Sequence, residues 1–439
     1  MPTPSLILVP ARFKTGKLYT PVATTSGGLV LGASGDFNVT RATTATRVNE
    51  SGLIESVASG IPRLDYPLGG GCPALLVEPS GSNLAFHSET WASGNNWTLD
   101  AVTRVTGSTS AFLAPDGTFT ANALSPTSAN VFHGLYSNSS TQNTYISGTI
   151  YTQSAFFKQG TGVAGRYVQL TYTGGGQFTQ NGYANFDLQL GTVAVVSGTS
   201  ADTNRAARIE NYGNGWYRCS FTATCNAAGN GIGVLPVLVN ASGNTRAQSF
   251  AGVTGDILYG WGAQLETGSV ATSYIPTTTA AVTRNADVIN LSGAVSGCIG
   301  QTEGTIYAEV VLSRINANYI ISLGTLNDRI MINFDSSTSV YALIRVGGVN
   351  ADYTATIPAI PATGGVYKIA LAYKANDYCF AVNGVAYPST ASRGIPATMS
   401  AVYLGASVFS TAQLNDRIRA AALYTTRLTN AELAALTTL

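Results

Sequence analysis

Residues 257–288 read ILYGWGAQLETGSVATSYIPTTTAAVTRNADV, and the parsing of this stretch decides the architecture. Ile257, Tyr259, Trp261, Ala263 and Leu265 alternate, the period-2 pattern of a strand with one buried face. Gly260 and Gly262 thin the opposite face, and Glu266 to Ser269 breaks the alternation. The residues beyond, through Pro276 and the threonine run, carry too little apolar area to fold alone and read as a connector over 276–287. A strand that closes one β domain and hands the chain to another predicts at least two sandwiches.

Composition points the same way. A chain of 439 residues holds two or three domains, each able to bury a core. Only 10% of residues are charged, well below the usual quarter or so, while 48 glycines sit among many Thr, Ser and Asn. Helices keep their outer faces soluble with Lys and Glu, whereas a Thr/Ser/Asn surface suits strands and turns. The formal charge is +1 without a clustered Lys/Arg stripe, so nucleic acid is not an expected partner. No run of 18 apolar residues predicts a membrane-inserted helix. The N-terminal MPTPSLILVPARF has neither a basic region nor a cleavage pattern, so no secretory signal is expected. Five scattered cysteines imply no disulfide framework.

Residues 1–86 read as an irregular attachment arm, because Pro2, Pro4, Pro10, Pro21, Pro62, Pro67, Pro73 and Pro79 recur too often for long elements. One chain folding alone would struggle to cover its apolar groups, Leu6-Ile7-Leu8-Val9 and Leu75-Leu76-Val77, so a partner chain or another protein is expected to cover them, the alternative being that the arm packs back onto its own first sandwich as extra strands. Arg41, Arg63, Asp65 and Glu78 hold several of its few charges. They form either a docking surface or ion pairs fixing an arm that is poor in core. Residues 87–275 form a first β domain, its short strands separated by turns such as Pro115-Asp116-Gly117, Gly174-Gly175-Gly176 and Asn214-Gly215. Residues 288–439 form a second sandwich. It opens with GTIYAEVVL at 304–312 and contains the hairpin YCFAV-NG-VAY at 378–387, whose Asn383-Gly384 suits a type I′ turn. Leu-Asn-Asp-Arg-Ile occurs at 326–330 and 414–418, read as two equivalent strand entries. Near the end, Thr429 and Glu432 make a capping box, and Leu428 can staple onto Leu433, which predicts a short C-terminal helix. The fold class is therefore all-β: two antiparallel sandwiches of jelly-roll type behind an irregular arm.

Several of these runs carry a family resemblance. WGAQLE…SYIPT…TRNAD, Trp97 after Asn95-Asn96, the PDGT turn at 115–118 and NGWYRCSFT at 214–222 resemble the carbohydrate-binding-like jelly roll of phage tail-fibre and head-appendage proteins. The run FNVTRATTATRVNESGLIESVASGIPRLDY at 37–66, followed by LLVEPSGSNL, resembles the N-terminal module of the same proteins. The final strand and capped helix resemble the end of concanavalin-A-like, laminin-G-type lectin domains. The resemblance implies a virion appendage protein that adheres to host-surface glycan, with other virion proteins and further copies of itself, a trimer by analogy with fibres, as partners. It also explains an extracellular-looking surface on a chain without a signal, because virion proteins are made in the host cytoplasm and released by lysis. The rivals are a purely structural collar, capsid-decoration or tail-adaptor subunit, and a glycan depolymerase.

Chemistry-bearing residues are few. Retaining glycosidases need two carboxyls about 5 Å apart, and no Glu-x-Asp-x-x-Glu spacing occurs, so no enzyme is expected. His87 and His133 lack any motif around them. No cofactor is implied. Calcium is the alternative at Asp328 and Asp416, although each precedes an arginine and a strand-entry turn explains both. Sugar stacking needs exposed aromatics. Tyr172 and Tyr183, flanking the 174–176 loop, join Tyr136 and Trp91 as the candidate glycan-binding residues.

Overall fold

The computed structural model describes residues 2–19, 22–23, 29–30, 36–137, 143–172, 176–178, 181–198, 204–292, 297–313, 319–336, 339–356, 365–389, 394–396, 398–407 and 413–439. The chain divides into two compact bodies. One comprises Ser51–Glu55 and Gly81–Arg284, the other Met1–Glu50, Ser56–Ser80 and Asn285–Leu439. The division after Arg284 falls inside the expected linker. The arm, however, is not a separate region. Most of it belongs to the C-terminal body, and its strands pair with strands of that sandwich.

In the 81–284 body, two six-stranded antiparallel sheets face each other. The back sheet runs in the order Val102–Val105, Asn122–Pro126, Leu258–Thr267, Ile150–Gln159, Trp216–Thr224, Ala206–Asn211. The front sheet runs Trp97–Asp100, Gly134–Ser137, Pro236–Val239, Tyr167–Thr171, Tyr183–Asp187, Thr192–Ser197. Phe157, Phe221 and Leu265 from the back meet Trp97, Val168, Leu170 and Phe186 from the front in one core.

The strand Leu258–Thr267 departs from strict alternation. Gly262 takes φ +65° at a register shift against Ile150–Gln159. Leu258, Ala263 and Leu265 consequently face the core, while Trp261 turns to the other side and packs with Phe156 and Tyr274. The bulge needs glycine, because a Cβ at 262 would also stand 2.9 Å from Phe156 Cδ2. The segment after it is not a bare connector either. Ala271, Thr272, Ser273, Tyr274 and Ile275 are buried, and Gln264, Glu266 and Arg218 hold the segment by hydrogen bonds.

In the other body, Asp416–Tyr424 pairs with Glu303–Leu312 along one edge. Along its other edge it pairs with Leu6–Leu8 and with Ala74–Val77. In the facing sheet, Val288–Ser292 lies between Phe37–Thr40 and Ala401–Leu404. The arm thus closes edges that would otherwise present unpaired N–H and C=O groups. Its apolar groups Leu6, Leu8, Leu75 and Val77 are buried in the same core as Ile306, Phe380 and Leu423. No partner chain is needed to cover them, because this chain does so itself.

The hairpin forms as expected, Asp377–Val382 and Val385–Pro388 joined through Asn383 at φ +46° and Gly384 at φ +85°. Both Leu-Asn-Asp-Arg-Ile copies lead into strands, Arg329–Ser336 and Asp416–Tyr424. The helix Asn430–Thr437 carries the Thr429/Glu432 capping box, and Leu428 and Leu433 share one buried cluster.

Candidate functional site

The four charges of the arm do not form a docking surface. Arg41, Arg63, Asp65 and Glu78 are all buried, with Arg63 and Glu78 wholly so. Arg63 donates to Glu78 Oε2 at 2.7 Å and to Asp287 Oδ2. Arg41 donates to Asp287 Oδ1 at 2.9 Å and to the carbonyls of Val57, Ala58 and Ile61. Asp65 receives the Val48 amide at 2.7 Å and Arg417 Nε at 2.6 Å. Burial on its own would weaken the hold of Arg63 on its proton. The Asp287 and Glu78 carboxylates outweigh that and keep its pKa raised. The ion-pair reading of these residues is therefore the one the structure supports. Sequence reading missed Asp287, although it ends the TRNAD run.

The calcium alternative meets engaged carboxylates. Asp416 is fully buried and receives the amide and hydroxyl of Ser313 and Nη1 of Arg417. Asp328 receives at 2.9 Å the amide of Gly347, which lies in the turn between Ser339–Val346 and Val349–Thr356. Among the described residues no group of three or more His, Cys, Asp or Glu gathers as a metal site. His133 is buried, its ring nitrogens bonded to the Ala101 and Phe250 carbonyls.

Of the four aromatic candidates, two are core residues. Trp91 is 0% exposed, stacks on Trp97 at 5.2 Å and donates its Nε1–H to Ser88 O. A Cβ at Gly260 would lie 2.2 Å from its ring, so that glycine exists to let Trp91 in. Tyr172 is 2% exposed, stacks on Phe178 at 3.9 Å and donates its hydroxyl to Tyr151 O. Neither ring can meet a sugar. Gly174 and Gly175 of the adjoining loop lie outside the described residues.

Tyr136 and Tyr183 are half-exposed, and the fold brings them onto one surface, the outer face of the front sheet. Alternation puts Val168, Leu170, Ala184 and Phe186 in the core. Tyr167, Gln169, Thr171, Tyr183, Asn185 and Asp187 then point the other way. Gly134 opposite Val237 places Tyr136 opposite Leu235. Thr171 is opposite Tyr183 and also hydrogen-bonds Leu235. A single cross-strand row therefore reads Tyr136, Leu235, Thr171, Tyr183, with roughly 14 Å between its ends at three strand spacings. Tyr167, also half-exposed, sits in the next rows beside Val239 with the Arg166 guanidinium 4.9 Å over its ring. Arg166 in turn grips Asp187 in a two-pronged pair of 2.6 and 2.9 Å. That hydrogen bonding holds the Asp187 carboxyl below the usual carboxylate range. Phe132, Tyr136, Tyr167 and Ile232 pack on Leu235, Val237 and Val239 as a continuous apolar layer. Nothing in the sequence marks Tyr167 as a surface residue beyond its position in an alternating strand.

The sequence matches no protein-family model and no curated protein sequence. Solved structures that it is similar to include the Ruminococcus gnavus IT-sialidase CBM40 bound to α2,3-sialyllactose. That match has 18% identity and a TM-score of 0.28, over 32% of this chain and 84% of that one. The NanB sialidase of Streptococcus pneumoniae matches at 14% identity and a TM-score of 0.29, over 34% of this chain and 26% of that one. The binding domain of botulinum neurotoxin DC in complex with SialylT matches at 8% identity and a TM-score of 0.28, over 34% and 39% respectively.

Proposed function

We propose that this chain is a glycan-binding, non-enzymatic component of a phage virion appendage, meeting host-surface sugar through the outer face of its front sheet. The observation that carries the binding reading is the row in which Tyr136 and Tyr183 flank Leu235 and Thr171, with Tyr167 and its apolar layer alongside. Half-exposed rings on a rigid sheet suit the stacking that sugar recognition needs, while Leu235 and Thr171 between them are buried and set the spacing of the two rings. The virion assignment rests on the resemblance of the WGAQLE, TRNAD and NGWYRCSFT runs. Trimeric assembly rests on that resemblance alone, and light scattering on the full chain decides it.

The test is titration of the full chain with oligosaccharides from host-surface polysaccharide, followed by calorimetry. Tyr136→Ala and Tyr183→Ala should each weaken binding by about 2- to 10-fold, the worth of one aromatic contact, in proteins that still unfold cooperatively. Release of shorter sugars during the titration would favour the depolymerase. Absence of binding to any host polysaccharide would favour the purely structural subunit.

A further inference from the structure

One cation on this face is placed unlike the others. Residues 240–249 fold back over the outer face of the front sheet, and two buried amides hold them there. Asn185 donates to the carbonyls of Ser242 and Asn244 at 2.9 and 2.7 Å. Gln169 donates to the Thr245 carbonyl at 3.0 Å and accepts from the Ala247 amide at 2.7 Å. Both neighbours of Arg246 are therefore fixed, and Ala247 adopts φ +48° to allow it. The Arg246 side chain then lies along the Tyr136–Tyr183 row. Its Nε donates to Thr171 Oγ1 at 3.0 Å, and its Nη2 donates to the Tyr172 carbonyl.

Both of those partners are neutral. Elsewhere on this body Arg166 is matched by Asp187 and Arg208 by Glu210. No carboxylate is within ion-pair range of Arg246 among the described residues. Arg104 and Arg218 also lack one, but Arg104 lies on the back sheet with its Nε donating to Asn122 Oδ1, and Arg218 is fully buried, with Thr272 O and Ser154 Oγ as its acceptors, and is closed to any ligand. Arg246 is only partly buried, and its Nη1 makes no hydrogen bond to a described residue. Burial weakens its hold on the proton, which marks a charge partly stripped of water without a counter-charge in return. A guanidinium remains charged under those conditions, and it binds a carboxylate more strongly than water does.

Resting on the glycan-binding reading, we propose that this face selects carboxylate-bearing sugars, with Arg246 taking the carboxylate while Tyr183 or Tyr136 takes the ring. Thr171, which anchors Arg246, is one strand from Tyr183 and two from Tyr136, so the charge lies roughly 5 to 10 Å from either platform. That spacing places both recognition elements within one or two sugar residues. Hexuronic and nonulosonic acids share the required chemistry.

The full chain is titrated with a glucuronate-containing oligosaccharide and with an N-acetylneuraminate-containing one. Each is compared with its carboxyl-reduced counterpart. The parent should bind at least one acid roughly 10- to 100-fold more tightly than its reduced form, the range of a charge-assisted hydrogen-bonded pair. Which acid shows the gap identifies the sugar class. Arg246→Gln, which keeps a polar group near Thr171, should erase the gap while leaving the reduced sugar's affinity within about twofold, and Arg246→Lys should restore part of it. Equal binding of acid and reduced forms by the parent overturns the assignment and leaves the glycan reading standing. A gap that survives in Arg246→Gln, with unfolding unchanged, overturns it as well. A parent that binds neither form of any sugar removes the underlying reading, and this one with it.

Discussion

Replacing Asp287 by Asn should destabilise one body of this protein by about 3–5 kcal/mol, the usual consequence of removing one partner from a buried ion cluster. The magnitude comes from the geometry. Asp287 is 1% exposed and receives Arg41 at 2.9 Å, Arg63, and the Glu78 amide at 3.0 Å. Without its charge, the wholly buried Arg63 keeps only the Glu78 carboxylate at 2.7 Å, and the nearly buried Arg41 loses its ion pair at 2.9 Å. For a body of this size each kcal/mol moves the midpoint by roughly 2–4 °C, giving roughly 6–20 °C in all. All four tryptophans, 91, 97, 216 and 261, belong to the 81–284 body. Tryptophan fluorescence therefore reports one body and far-ultraviolet dichroism both. In Asp287→Asn the dichroism should split into an early and a late transition, the late one coinciding with an unshifted fluorescence transition. Arg63→Met combined with Glu78→Leu should lose less than the sum of the two single changes, because opposite charges leave together. A loss below about 1 kcal/mol in Asp287→Asn would refute the claim that this cluster fixes the arm.

Segment 288–439 expressed without residues 1–80 should aggregate or stay unfolded, because the edge of Asp416–Tyr424 loses both Leu6–Leu8 and Ala74–Val77. Segment 81–284 should give a soluble, cooperative fluorescence transition, and a well-folded 288–439 monomer would contradict the pairing. Glu89 has its pKa raised, mainly by burial and further by Asp116, against the opposing Tyr274 hydroxyl bond. Its stabilising contribution is full below the unfolded value near 4.5 and is lost as pH rises through the folded value. Glu89→Gln should therefore gain on the parent progressively above that unfolded value in the fluorescence-monitored melt, and a difference that does not change with pH would contradict it.

Features that depend on a handful of neighbouring residues were legible in the sequence. Asn383-Gly384 specifies its turn because both residues accept positive φ. Thr429 and Glu432 specify the helix start because each satisfies the other's backbone within one turn. The β-branched and aromatic runs at 304–312 and 378–382 specify strands by their residue types, and the structure buries both faces of 378–382, Tyr378, Phe380 and Val382 in one cluster and Cys379 and Ala381 in another. Low charge and abundant Thr, Ser and Gly specify an all-β chain for a similar reason. Tertiary structure decided everything that joins distant residues. The Arg41–Asp287 pair spans 246 positions, and no local pattern announces it. The arm's apolar runs held no clue that Asp416–Tyr424 would cover them rather than another chain. One glycine, Gly262, reversed the facing of Trp261 through a bulge. Trp91 and Tyr172 became core because Trp97 and Phe178 lie against them. Arg246 reached the Tyr136–Tyr183 row only because Gln169 and Asn185, on two adjacent strands, hold its loop in place. Periodicity fixes which way a side chain points along one strand. Which strands become neighbours, and so which side chains meet, is set by the packing of whole sheets.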